Sequence, residues 1–287
     1  MSALPAFFAD YQARVAAELH RLVPDRGAPV ERAMAYTALA PSKQIRAVLV
    51  LLCAELCRGN ASQAVPVAAA IELVHSASLI LDDLPSMDDA PLRRGRPANH
   101  REFGEAIAIL AAFGLLNLAY GAVARAYEPA TAARMSSIIS DAVGPSGLIG
   151  GQALDLAATD RDISFEMLER IHRGKTGVLF VAAATCGAIT AGAAAEPIGA
   201  LSAYAKNLGL AFQIIDDLLD VAGTTADTGK AVRADARKTT FVSFSGVDGA
   251  RQLAAELCDT ADRALTPFGA KADRLRELSA FVAGRRM

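Results

Sequence analysis

Along almost the whole chain, apolar residues recur every three to four positions, and no run of useful length alternates with period two. Side chains spaced this way can be buried together only along the stripe of a helix. The pattern therefore excludes sheet, sandwich and barrel folds. Composition agrees: 62 of the 287 residues are Ala, aromatics make up 6%, and there is no Trp. Such a mixture favours helix over strand. With 53% hydrophobic residues the chain can bury a large core and is not disordered. Helices are expected over 5–23, 29–38, 44–58, 61–84, 104–127, 130–142, 147–157, 164–188, 196–222, 248–264 and 271–283, separated by Pro and Gly turn signals. No linker or low-complexity tract divides them. The reading is one all-α domain over residues 1–287 with a bundle-like core.

Several function classes fall away early. A formal net charge of −2 gives no global field to recruit nucleic acid or an anionic membrane. The apolar stretches are interrupted by charge, Gly or Ser before about 18 residues, so no membrane span is expected. Cys53, Cys57, Cys186 and Cys258 lie in helix-like apolar segments without a His or second Cys pair nearby. They read as buried thiols rather than zinc ligands or disulfides, which fits a reducing compartment. The N-terminus has no basic-then-apolar leader pattern, and a cytoplasmic location is expected.

Two of the longest apolar helices end in acids. The first cluster, LILDDLPSMDDAPLRRGRP, carries Asp82, Asp83, Asp88 and Asp89; the second, FQIIDDLLD, carries Asp216, Asp217 and Asp220. Carboxylates at a helix C-terminus oppose the macrodipole and repel one another. A bound cation is the simplest compensation. Asp216, Asp217 and Asp220 are three or four positions apart and should project to one side of a helix, with Gln213 one turn earlier. Asp82 and Asp88 are too far apart around an unbroken helix, but Pro85 breaks it and a bulged turn can reunite them. Carboxylates without His or Cys suit a hard cation. Mg²⁺ fits best, with water and substrate phosphate completing its shell. Basic residues surround both clusters: Arg93, Arg94 and Arg96 after the first, Lys230 and Lys238 after the second, Lys175 in HRGKTG, and Lys43 and Arg46 in PSKQIRA. Acids for Mg²⁺ beside cations for phosphate describe a diphosphate site. No P-loop is present.

At these residues, from about Pro41 to Asp248, the chain resembles the all-trans short-chain polyprenyl diphosphate synthases, most closely the bacterial geranylgeranyl type. VHSASLILDDLPSMDDAPLRRGRPANH, GGQALDL, HRGKTG, FQIIDDLLD and DTGK follow in that family's order. The resemblance implies an all-α bundle of the isoprenoid synthase type with a central active-site cavity. It implies a homodimer and Mg²⁺-dependent, head-to-tail condensation of isopentenyl diphosphate with an allylic diphosphate. It further implies three Mg²⁺ held between Asp82, Asp88 and Asp216, with Asp83, Asp217 and Asp220 as further ligands or supports. Arg93, Lys175 and Lys230 would take the departing diphosphate. Thr176 and Gln213 would lie near the developing cation, and Lys43, Arg46, His75 and Arg94 would hold isopentenyl diphosphate. The chain departs from the family where PSKQIRA replaces a glycine-rich GGKRxRP.

Chain length should be set one and two turns below Asp82, at Val74, Ala77 and Ser78, since a helical turn of about 5.4 Å is close to one isoprene unit. Small Ala77 should leave that space open past C15, giving geranylgeranyl diphosphate as main product. Phe113 on the next long helix could replace the floor if its ring points inward. The alternatives are a farnesyl diphosphate (C15) synthase, a class I terpene cyclase or a regulatory subunit of a heteromeric synthase. The intact second cluster and the scarcity of aromatics count against the last two.

Overall fold

A computed structural model of the chain describes residues 5–24, 26–222 and 238–284. Thirteen α-helices carry most of the described residues: α1 (Phe8–Leu22), α2 (Pro29–Ala38), α3 (Ile45–Leu56), α4 (Ala61–Asp82), α5 (Asn99–Phe103), α6 (Glu105–Ala126), α7 (Pro129–Val143), α8 (Leu148–Ala158), α9 (Phe165–His172), α10 (Val178–Thr190), α11 (Ala195–Ala222), α12 (Phe241–Ala264) and α13 (Asp273–Ala283). A π-helical turn, Arg173–Gly177, joins α9 to α10, and a 3₁₀ segment, Thr266–Ala272, precedes α13. The all-helical expectation holds.

Three local features depart from the sequence reading. The helix expected over 164–188 is divided by the π-turn. The helix expected from 248 is preceded by an extra turn from Phe241, set off from it by Gly246, whose φ of 70° breaks the helix, and started by a reciprocal cap: Thr240 Oγ1 accepts from Ser243 N at 3.2 Å and Ser243 Oγ from Thr240 N at 3.0 Å. The Pro91–Pro97 stretch is not a plain break. Leu92 pairs with Pro97 and Arg93 with Arg96 in a two-residue antiparallel ladder, β1–β2. Its turn residues Arg94 and Gly95 have φ of 55° and 74°, the left-handed pair that a tight hairpin requires.

Helix α4 is the centre. Asn60 starts it by accepting from Ser62 N at 2.9 Å, and it packs against α1, α3, α6 and α10. Ala68, Ala69, Ala70 and Ala77 face a core to which α6 contributes Ala108, Ala111, Ala112 and Ala119, all without exposure. Alanine loses no rotamer freedom on burial and lets helix axes approach closely. The same closeness holds α10 to α3, where a Cβ on Gly187 would lie 2.3 Å from Val50 O. Contrary to the sequence expectation, α4 and α6 are each long and apolar enough to cross a membrane. In the bundle α4 is a mostly buried core helix. A second, smaller core joins Leu168 of α9, Ile214, Ile215, Leu218 and Leu219 of α11, and Phe241, Ala250 and Ala254 of α12. It anchors the end of α11 that carries the second acid cluster.

Candidate active site

The first cluster is built by a chain reversal. After α4 the backbone folds back on the helix end: Asp88 N donates to Asp82 O at 3.0 Å, Asp89 N to Leu84 O at 3.0 Å and Ala90 N to Asp83 O at 3.2 Å. Carbonyls that α4 would leave orphaned are thereby satisfied, and Asp88 returns beside Asp82. This is the bulged turn that the spacing around Pro85 requires. The hairpin then swings Arg93 back onto Asp83, which accepts from Arg93 Nε at 3.0 and 3.1 Å and from its terminal nitrogen. Asp83 is buried in this pair, so it stands behind Asp82 rather than facing outward with it. Burial raises the pKa of Asp82, and Asp88 and Asp83 add to that; Lys175 and Arg93 oppose it.

Gly151 of α8 packs directly on the π-turn, where a Cβ would come within 2.3 Å of Lys175 N. Only glycine permits this approach. It brings Asp155, one turn along α8, against Lys175 Nζ at 2.8 Å. The same carboxylate oxygen accepts from Lys238 Nζ at 3.0 Å, and Lys238 also donates to Asp88 at 2.8 Å. Burial alone would push the Lys175 ammonium down; Asp82 and Asp155 outweigh it and hold the pKa above the ordinary lysine value. Burial would likewise raise Asp155, but Lys175 and Lys238 hold its carboxyl below the usual range. Asp155 is a site residue that sequence reasoning missed, although GGQALDL was singled out.

The second cluster divides. Asp216 and Asp220 lie half-buried on α11, as Gln213 does, whereas Asp217 is buried. It accepts from Gln213 Nε2 at 2.9 Å and from Phe241 N, the first amide of α12, at 3.1 Å. A carboxylate there satisfies an orphan amide and complements the helix dipole. The expectation that all three acids project to one side is thus corrected: Asp217 ties α11 to α12. Gln213 Oε1 in turn accepts from Thr176 Oγ1 at 2.8 Å. The π-turn therefore addresses both clusters with successive side chains, Lys175 toward the first and Thr176 toward the second.

Arg46, His75 and Arg94 gather above buried Glu72, a second residue missed by sequence reasoning. Arg46 lies 3.4 Å from His75 Nε2, and its guanidinium stacks over Phe180 at 4.7 Å. Burial lowers the pKa of Arg46, and Glu72 and Asp216 oppose the shift. Burial raises that of Glu72, opposed by Arg46, the Ala47 amide and Arg94. A lone acid inside AAAIELVHSAS was the available signal. Lys43 points elsewhere, with its ammonium 5.8 Å from the Phe281 ring of α13. Lys230 lies outside the described residues.

Below Asp82, Ser78 is half-buried and donates to His75 O at 2.9 Å. Ala77 and Val74 are 0% and 1% exposed, so no space open to water lies against them. Ala77 is thus enclosed by its neighbours in this structure, and a product chain reaching it has to displace them. Phe113 does not form the floor either: it is 63% exposed, on the face of α6 that also exposes Ile109 and Leu110.

All the donors in the two clusters are carboxylates, which fits a hard divalent cation. Among the described residues no three acids, histidines or cysteines converge closely enough to hold an ion unaided.

The site is thus an all-helical bundle whose two acid clusters are joined by a lysine-bearing turn. The family model described as polyprenyl synthetase matches residues 28–260, and the chain belongs to that family. It is 42% identical over 250 residues to a farnesyl diphosphate synthase of Escherichia coli, covering 85% of this chain and 84% of that one. It is 38% identical over 264 residues to a chloroplastic geranylgeranyl pyrophosphate synthase of Arabidopsis thaliana, covering 89% and 76%. Among solved structures, a farnesyl/geranylfarnesyl (FPP/GFPP) synthase from Zymomonas mobilis superimposes with a TM-score of 0.87 at 32% identity, covering 97% and 98%. A geranylgeranyl pyrophosphate synthetase from Pyrococcus horikoshii gives 0.88 at 30%, covering 98% of both chains. The chain is a head-to-tail prenyltransferase of the isoprenoid synthase fold.

Proposed function

We propose that the protein extends an allylic diphosphate with isopentenyl diphosphate to C20, as a homodimer that requires Mg²⁺. The observation that carries the reading is the π-turn, whose Lys175 and Thr176 connect the first acid cluster to the second. Asp82, Asp88 and Asp216 would hold the metal, with three ions per site and Asp220 as a further ligand. Bound there, Mg²⁺ neutralises the diphosphate as it leaves.

The chain's own residues do the rest. Lys175, kept charged by Asp82 and Asp155, pairs with the leaving diphosphate, and Arg93, steadied by Asp83, adds a second cation. Lys230 is proposed as a third. Thr176 and Gln213 fix each other, so that an oxygen dipole faces the allylic carbon as it becomes positive. Arg46, His75 and Arg94 orient isopentenyl diphosphate; Lys43, whose ammonium lies by the Phe281 ring, joins the set only by turning toward them. Its double bond attacks the allylic carbon, and the released diphosphate can accept the lost proton.

The C20 assignment rests on the small side chains at Ala77 and Ser78 and on the absence of any aromatic among positions 74, 77 and 78. Elongation past Ser78 then requires the alanine-lined α4–α6 seam to part. Incubation with isopentenyl and farnesyl diphosphates tests it: C20 product is expected, and its absence would assign a C15 synthase.

A further inference from the structure

Lys238 occupies an unusual position between two carboxylates. Its ammonium donates to Asp88 at 2.8 Å and to Asp155 at 3.0 Å, and its side chain is only 17% exposed. Asp88 belongs to the first acid cluster. Asp155 does not, and it is fixed by Lys175 through the same oxygen. The two bonds are therefore unequal in kind: one ties up a proposed metal ligand, and the other ties Lys238 to a carboxylate that keeps its place. A carboxylate oxygen paired with an ammonium is not available to a divalent cation on the same lone pairs.

We propose that Lys238 is a built-in counter-cation of the first cluster, and that a divalent cation binding there takes Asp88 from it while Asp155 holds it in place. The inference rests on the metal reading of Asp82 and Asp88 given above. It explains how the clustered acids are tolerated without metal: Lys238 and Arg93 neutralise two of them, leaving buried Asp82 with a raised pKa beside Lys175. It also explains why Asp155 is shared. With two partners, Lys238 can release one without being left unpaired in a partly buried position, where an unpaired charge is costly.

Calorimetric titration of the substrate-free protein with MgCl₂ tests this without reference to turnover. Lys238→Met should lower the half-saturating Mg²⁺ concentration at least fivefold. Lys238→Arg, which keeps charge and donors, should stay within twofold of wild type and shows that the position tolerates change. Arg161→Gln is the control for bulk charge. Arg161 lines the same surface depression as Lys238, accepts from Thr239 Oγ1 through its backbone carbonyl at 3.3 Å, and among the described residues makes no ion pair with the cluster. It should also stay within twofold. Unchanged affinity in Lys238→Met, or an equal gain in Arg161→Gln, overturns the proposal. A Mg²⁺ response that survives Asp82→Asn overturns the metal assignment and the proposal with it, a result distinct from a null at Lys238.

Discussion

Asp155 and His172 flank the lysine network, and the pKa of each is lowered, so that the two titrate in separate pH windows. His172 is held down to about 4, first by burial and then by Lys175 and Lys238, and both ring nitrogens lack partners among the described residues. Between about 6.5 and 4 the unfolded chain binds a proton that the folded one refuses, so stability falls as pH drops through that window. His172→Phe should keep the packing on Phe241 and remove that loss, on the order of 3 kcal/mol at most. Urea midpoints at pH 7 and pH 4.5 check it; parallel pH dependence in both proteins would refute it. Asp155 does not confuse the readout, because its depressed carboxyl loses stabilisation only below about 3.8. At this scale the acids were legible as clusters. Their division of labour was not: Asp83 is claimed by an arginine delivered by a hairpin, and Asp217 by an amide of a helix 24 residues away. A single acid such as Asp155 or Glu72 looks like any helix residue until the facing element is known.

Among elements, the π-turn and the hairpin are what the helical period could not disclose. The glycines of HRGKTG weaken a helix without specifying a π-turn, and the turn packs on α8 through the Gly151–Gly174 approach, a tertiary contact. The eleven expected helices were otherwise readable because each buries a stripe. The α4–α6 seam is where product length should be decided. Ala77→Tyr places a ring in a fully enclosed position beside Ser78. It should shift products toward C15 and leave Mg²⁺ dependence intact. Chromatography of the prenyl products checks it, and undiminished C20 output would move the floor elsewhere.

For the molecule as a whole, the unsettled surface is the α6 face, where Phe113 and Leu110 are 63% and 55% exposed. Contiguous apolar exposure of this kind marks an interaction site more often than a solvated face, and it accords with the proposed homodimer. Light scattering at micromolar concentration should return twice the mass of one chain, and Phe113→Glu should lower it. A monomeric wild type would remove the claim. Sequence reading reached the dimer through family resemblance and an apolar surplus, but could not name the interface, since α6's outward apolar residues share the period of its core stripe.

The central claim is that acids on α4 and α11, far apart in sequence, act as one metal-dependent centre. Turnover of isopentenyl diphosphate with an allylic starter, measured at saturating Mg²⁺ for Asp82→Ala and Asp216→Ala, tests this most directly. Each substitution should lower kcat by roughly a thousandfold or more, corresponding to about 4 kcal/mol of lost transition-state stabilisation. Near wild-type kcat in either variant would contradict the account.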